Sequence, residues 1–141
     1  MCVAGTLVLL LVGCDALVTD RTPERVRNGT SALDLTVSGR PTPGGLAVTE
    51  RVLARLKARD ADGLAGLAKE SASRESDAKR WVARWGDAAQ RPATAHISTG
   101  EKDASADIRF AGEPATLSLL LLPEDEDDAY NDRYVVALEE G

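Results

Sequence analysis

His96, the only histidine of the chain, and Asp107 are the two residues whose types and spacing could support proton transfer. Residues 94–110 alternate between apolar and polar, which predicts a β-hairpin that turns near Glu101. Such a hairpin sets His96 opposite Asp107, and a carboxylate beside an imidazole favours a general base that works near neutral pH. The alternation also puts His96 on the face opposite Ile97. An exposed cross-strand pair without catalytic chemistry is therefore the alternative that we prefer.

The run EDEDDAYND, residues 124–132, is the second candidate, because its carboxylates could bind calcium. A calcium loop needs oxygen ligands at alternating positions, a glycine for the bend and a trailing glutamate. This run has neither the glycine nor such a glutamate, so we expect a solvated hairpin loop and no metal site, although a partner with a basic surface could bind there. The sequence also has no Cys–His metal cluster, nucleophile–base pair or glycine-rich phosphate loop, so no cofactor is predicted.

Two tryptophans form the third candidate. Trp81 and Trp85 are one helical turn apart and so share a helix face. With Phe110 and Tyr134 they could line a cavity for a small apolar ligand. The alternative is that they are the bulky part of a core that is otherwise poor in aromatic residues, and the same burial fits both interpretations.

The N-terminus carries a short apolar run. Residues 3–13 have no charge, and the run is too short to span a membrane, which takes about 20 apolar residues. Its length matches the apolar region of a secretory signal peptide, about 7–15 residues. We therefore expect a signal peptide over residues 1–13.

The run ends in Leu11-Val12-Gly13-Cys14, which resembles the lipobox of bacterial lipoproteins. The resemblance implies that the Cys14 thiol receives a diacylglyceryl group and that cleavage makes Cys14 the first residue. A diacylglyceryl group supplies two chains, and two chains are what stable membrane anchoring requires. The resemblance thus predicts a protein held on the extracytoplasmic face of the cytoplasmic membrane, with Cys2 removed and Cys14 without a disulfide partner.

Residues 14–43 are rich in charged residues, Thr, Ser, Pro and Gly, and this composition predicts a tether. Within the tether, LDLTV (residues 33–37) alternates apolar and polar residues and gives a weak strand signal. This segment could add to the edge of a sheet or pack over one of its faces.

Three helices are predicted after the tether. Thr42 and Pro43 favour the start of the first helix, Asp60 starts a short second helix, and a third begins near Ser71 or Ser73 and ends at Gly86. The period then changes from about 3.6 to 2, which predicts the hairpin of residues 94–110 followed by two more strands. Helices followed by antiparallel strands indicate an α+β fold.

The order of these elements, with the phrase RLKARDADGLAGLA, resembles the NTF2-like (cystatin-like) α+β cone. The resemblance implies that residues 44–141 form one domain in which a curved antiparallel sheet wraps a long helix and often leaves a cavity at its mouth. Some NTF2-like enzymes of the SnoaL-like kind use an Asp/His pair in that cavity. Catalysis here would therefore require His96 and Asp107 to point inward.

The segment LSLLLLP, residues 117–123, is apolar on both faces of a predicted strand. Leu117, Leu119 and Leu121 share one face, and Leu120 and Leu122 share the other. The second face needs cover, either from LDLTV or from a second subunit, since sheet-to-sheet dimers are common in the family that the chain resembles.

The net charge of the chain indicates which class of partner it does not favour. The chain of 141 residues has a net charge of −6 and a pI near 4.8, which disfavours nucleic acid as a partner. The lipobox resemblance, together with the lack of a nucleophile–base pair in the sequence, implies a non-catalytic binding or interaction module of the cell envelope. Its partner is another envelope protein, a second copy of the chain or a small apolar ligand, and a cavity enzyme is the alternative.

Overall fold

A computed structural model describes residues 33–138 as three helices packed on one face of a five-stranded sheet, which confirms the α+β prediction. The apolar run, Cys14 and most of the tether lie outside the described residues. The elements in chain order are β1 (Leu35–Gly39), α1 (Pro43–Lys57), α2 (Ala61–Leu67), α3 (Arg74–Trp85), a 3₁₀ turn (Ala88–Gln90), β2 (Ala93–Thr99), β3 (Ala104–Phe110), β4 (Thr116–Pro123), a 3₁₀ turn (Glu126–Asp128) and β5 (Tyr134–Ala137).

The helix starts follow from local capping. The Thr42 hydroxyl accepts a hydrogen bond from the backbone nitrogen of Gly45 at 3.1 Å, with Pro43 at the first helical position. Asp60 caps α2 in the same way, because its carboxylate accepts from the backbone nitrogen of Gly63 at 2.8 Å. The two predicted starts are confirmed.

The sheet has the order β1-β2-β3-β4-β5, and strands β2 to β5 form an antiparallel meander. β1 pairs parallel with β2, so the prediction of a wholly antiparallel sheet is wrong for this edge. A parallel connection needs a crossover, and the three helices between β1 and β2 provide it. The folded domain therefore begins at least as early as Leu35, inside the segment 14–43 that composition assigns to the tether.

The core lies between the helices and the inner face of the sheet. Alternate residues of β2, β3 and β4 point inward, as the period of 2 predicts. The largest side chains that are almost fully buried are Trp81, Leu56, Leu64, Ile97, Ile108, Leu117, Leu119 and Leu121. Within residues 33–138, no helix is long and apolar enough to cross a membrane.

Candidate functional site

The outer face of the sheet carries a polar row that crosses four strands. Strand register places Ser38, His96, Asp107 and Ser118 side by side. The Ser38 hydroxyl and His96 Nδ1 are hydrogen-bonded at 3.1 Å, and the Ser118 hydroxyl donates to Asp107 Oδ1 at 2.8 Å. The predicted pairing of His96 with Asp107 across the hairpin is therefore present, and each of the two residues has a serine partner on its other side.

This row is exposed, because the three helices cover only the opposite face. His96 borders a shallow depression that includes Gly39 and Arg40, and Asp107 does not line it. Cavity catalysis requires both side chains to point inward, and here both point to solvent. The arrangement fits an exposed cross-strand pair.

The two tryptophans lie in the core. Trp81 donates a hydrogen bond from Nε1 to the backbone oxygen of Leu138 at 3.1 Å. Trp85 packs against Phe110 with ring centroids 6.0 Å apart, and the Arg84 guanidinium lies 4.1 Å from the centre of the Trp85 ring. Among the described residues, no group forms a hydrogen bond with the buried Trp85 Nε1.

The four aromatic residues proposed as one cavity lining are thus divided. Trp81 and Trp85 fill the core beside Phe110, and Phe110 also borders a small cleft of about 90 Å³ near the start of β2. Tyr134 lies at the start of β5 and lines a different and larger cleft. Neither tryptophan borders these two clefts.

An apolar patch interrupts the outer face at one edge. Register pairs Leu120 with Ala137 and Leu122 with Val135, so these four side chains are neighbours on the outer face of β4 and β5. Leu120 is 45% exposed and is one of two large hydrophobic residues that the described chain leaves exposed. We call these four residues the β4–β5 patch. β1 does not cover it, because β1 lies at the far edge of the sheet.

Acidic residues border the β4–β5 patch. A groove of about 450 Å³ runs from Leu122, Pro123 and Val135 to Glu124 and Glu126. Lys69 and Glu70 also line it, so its acidic side chains outnumber its single basic one. The acidic run forms a loop with a 3₁₀ turn, in which the Asp125 carboxylate accepts from the backbone nitrogen of Asp127 at 2.9 Å. Within the described part of the chain, no group of three or more His, Cys, Asp or Glu side chains could hold a metal ion.

A second cleft, of about 510 Å³, separates α1 and α2 from the start of β5. Its polar lining includes Arg51 and Arg133 together with Glu124 and Tyr134. Sequence patterns did not predict it, because its residues come from three elements far apart in the chain. The local sequence around Arg51 on α1 does not predict that this arginine lines a cleft.

The chain was compared with protein-family models, curated proteins and solved structures. The chain matches no family model, and neither a curated protein nor a solved structure is similar to it.

Proposed function

We propose that this chain is a lipid-anchored, non-catalytic interaction module of the bacterial cell envelope that binds another protein through the β4–β5 patch. The observation that carries the proposal is the 45% exposure of Leu120 on a sheet face that none of the helices in residues 33–138 covers. Contiguous exposed apolar side chains with a polar rim are typical of protein-binding surfaces. The remainder of this face is polar, which confines the apolar contact to one edge.

The charge around the patch defines the partner. Glu124 and Glu126 line the same groove as Leu122 and Val135, so an apolar contact there brings carboxylates close to the partner. A complementary surface has an apolar centre and a rim of lysine or arginine, because like charges at a rim oppose association. The partner that fits is therefore an envelope protein with a basic, partly apolar surface.

The anchor in this proposal is Cys14, which lies outside the described residues. Support comes from the uncharged run of suitable length and from its ending, Leu11-Val12-Gly13-Cys14. Mass spectrometry of the protein extracted from host membranes should find a chain that begins at Cys14 with an added diacylglyceryl mass. The Cys14→Ser variant should leave the membrane fraction. Retention of that variant in the membrane, with unchanged mass, would contradict the anchor.

An NTF2-like fold is the finer part of the proposal. Its support is the order of three helices followed by an antiparallel meander. In that family a short strand usually lies between the second and third helices. Here Ala68 forms a single parallel bridge with Val136, and Lys69 donates from its backbone nitrogen to the Val136 oxygen at 2.8 Å. An experimental structure with a flat, uncurved sheet would contradict this assignment.

Site-specific photocrosslinking in living cells tests the interaction. A photoreactive phenylalanine replaces Leu120 in one variant and Thr94 in a control variant, because Thr94 lies on the same outer face but on β2. We expect a discrete adduct from position 120 and not from position 94. The yield from position 120 should fall with added salt and with Glu124→Gln plus Glu126→Gln, because the rim contacts are electrostatic.

Each other outcome counts against part of the proposal. Equal adducts at both positions, or none at position 120, would exclude the β4–β5 patch as the interface. An adduct at twice the mass of the chain would identify a second copy and overturn the choice of a different protein as partner. An adduct yield that is unchanged by salt and by the two glutamine substitutions would contradict the basic rim proposed for the partner.

A further inference from the structure

The two edges of the sheet differ in whether their backbone groups have partners. At the β5 edge, Ala68 forms a parallel bridge with Val136, and the Lys69 backbone nitrogen donates to the Val136 oxygen at 2.8 Å. At the other edge β1 pairs with β2, and within residues 33–138 no strand lies on its other side. β1 contains neither proline nor a charged residue, and these are the usual protections of an edge strand against pairing. The β1 edge is therefore open to a further strand.

The bonds between β1 and β2 show which backbone groups face this open edge. The Ala93 nitrogen donates to the Asp34 oxygen at 2.9 Å, and the Arg40 nitrogen donates to the Ile97 oxygen at 3.0 Å. In a planar trans peptide the C=O and the next N–H point in opposite directions, and along a strand these directions alternate. The residues that turn their N–H and C=O groups to the open edge are therefore Leu35, Val37 and Gly39.

A second copy of β1 satisfies all of these groups in one antiparallel register. When Val37 lies opposite Val37 of the second copy, Leu35 lies opposite Gly39, and each opposed pair exchanges hydrogen bonds. About six interstrand hydrogen bonds form in this way. A shift by one residue would set these groups against residues that already bond to β2, and it would place the matched side chains on opposite faces.

The charges at the two ends of β1 also match in this register. Asp34 of one copy lies opposite Arg40 of the other, and the symmetry of the pairing makes this contact twice. Both residues are exposed, and among the described residues neither side chain forms an ion pair. Between them Thr36 lies opposite Ser38, so no like charges meet. Complementary charges at both ends favour a second copy of this chain as the strand that pairs here.

We propose that two copies of this chain pair through β1, with Val37 at the two-fold axis. Val37 packs toward the core in both copies, so the axis is perpendicular to the sheet and all helices lie on one face of the joined sheet. Each far end of the joined sheet then carries a β4–β5 patch on the common outer face. Two patches on one assembly bind clustered or bivalent partners more tightly than one patch does. Since only one short strand of each copy pairs, the dimer is reversible.

This dimer extends beyond the proposed function, because β1 and the β4–β5 patch lie at opposite edges of the sheet. Crosslinking from Leu120 reports on the patch and not on the β1 edge. The two proposals can therefore fail separately.

Disulfide trapping between exposed positions tests the register. One preparation of the full chain carries Thr36→Cys and the other Ser38→Cys, both with Cys2→Ser and Cys14→Ser, in mild detergent and a glutathione buffer. Directly opposed residues have Cα atoms about 4.5 Å apart, within disulfide range, whereas diagonal neighbours lie about 7–8 Å apart. The disulfide between the two variants should exceed the disulfide within either one about tenfold or more. Thr94→Cys, which is exposed on β2, should form no more than random collisions produce.

Charge reversal tests the choice of partner strand, with the yield of the same disulfide as the readout. Asp34→Arg alone and Arg40→Asp alone should each lower the yield about threefold or more, because like charges then meet at both ends. The two substitutions combined in one chain should restore the yield, since the opposed charges are only exchanged. Arg109→Asp, at an exposed arginine on β3, is the matched control and should change nothing. Thermal unfolding shows that each variant is folded.

Three results would overturn the dimer. The first is a statistical mixture of the three possible disulfides, which would exclude the register. The second is a yield that the single charge reversals leave unchanged. The third is a folded double reversal that does not recover the yield, because exchange of the two charges preserves only an antiparallel pairing of Asp34 with Arg40.

Discussion

The carboxylate of Asp132 accepts a hydrogen bond from the backbone nitrogen of Gly44 at 2.7 Å, although the two residues are 88 positions apart. The Thr42 hydroxyl donates to the same carboxylate. A negative charge at the start of a helix is favourable, because the first backbone N–H groups lack partners within the helix. The end of the acidic loop is thereby fastened to the start of α1.

Loss of this cap should destabilise the domain. We expect Asp132→Ala to lower the free energy of unfolding by about 1–2 kcal/mol. Asp132→Asn should cost less, because an amide oxygen can still accept one bond and asparagine tolerates the positive φ of 59° found here. Urea unfolding of the two variants measures both effects, and equal stability of wild type and Asp132→Ala would contradict the cap.

The two tryptophans should respond differently to replacement by phenylalanine. Trp81→Phe removes the hydrogen bond to the Leu138 oxygen, whereas Trp85→Phe removes an N–H that has no partner within residues 33–138. Both substitutions delete a similar volume from the core, so each serves as the control for the other. We expect Trp81→Phe to lower the free energy of unfolding by about 1 kcal/mol more than Trp85→Phe, as measured by chemical denaturation. The reverse order would show that the Leu138 bond contributes nothing.

Two glycines should behave in opposite ways when replaced by alanine. Gly39 has a φ of +87°, and a Cβ there would lie 2.2 Å from the backbone oxygen of Ile97. Gly39→Ala should therefore cost about 1–3 kcal/mol, because rigid backbone has to move. Gly66→Ala should raise stability by about 0.5–1 kcal/mol, since alanine is the better helix former and space is open. Thermal unfolding compares the pair, and a stabilising Gly39→Ala would contradict the strained position.

Glu113 should contribute to the pH dependence of stability. The pKa of its carboxyl lies below its ordinary value of 4.5, first because the Ala115 backbone nitrogen donates to it and then because Arg84 donates to it. A group with a lowered pKa in the folded state stabilises the fold above its unfolded pKa, and that contribution is lost as the pH falls through the folded value. The difference in unfolding free energy between wild type and Glu113→Gln should thus be largest above about pH 4.5.

An NMR titration of the Glu113 carboxyl checks this directly. Its midpoint should lie below 4.5 in the wild-type protein and should rise in Arg84→Gln, in which the arginine donor is lost. A midpoint at or above 4.5 would contradict both the lowered pKa of Glu113 and the expected pH dependence of stability.

Local signals were sufficient to predict much of the fold. Thr42 with Pro43 and the Asp60 cap act within a few residues, so the helix starts follow from the sequence alone. The alternation in residues 94–110 also predicted the register that pairs His96 with Asp107. A strict period of 2 fixes which side chains share a face, and this made the inward set of β4 predictable.

Long-range relationships were not predictable. The parallel pairing of β1 joins Ser38 to His96 across 58 positions, and nothing near LDLTV specifies its direction. The Asp132 cap and the cleft with Arg51 and Arg133 likewise depend on packing between distant elements. Composition predicted a tether over residues 14–43 and did not reveal β1, because one short edge strand changes the average composition of the segment very little.

The position of β1 has a consequence for the order of folding. During synthesis this strand leaves the ribosome 58 residues before the residues with which it pairs. Leu35 and Val37 therefore have no β2 to pair with at that stage. The meander from β2 to β5 closes short loops, which form faster than long ones. We therefore expect β1, which is the strand nearest to Cys14 in the sequence, to dock after the meander has formed.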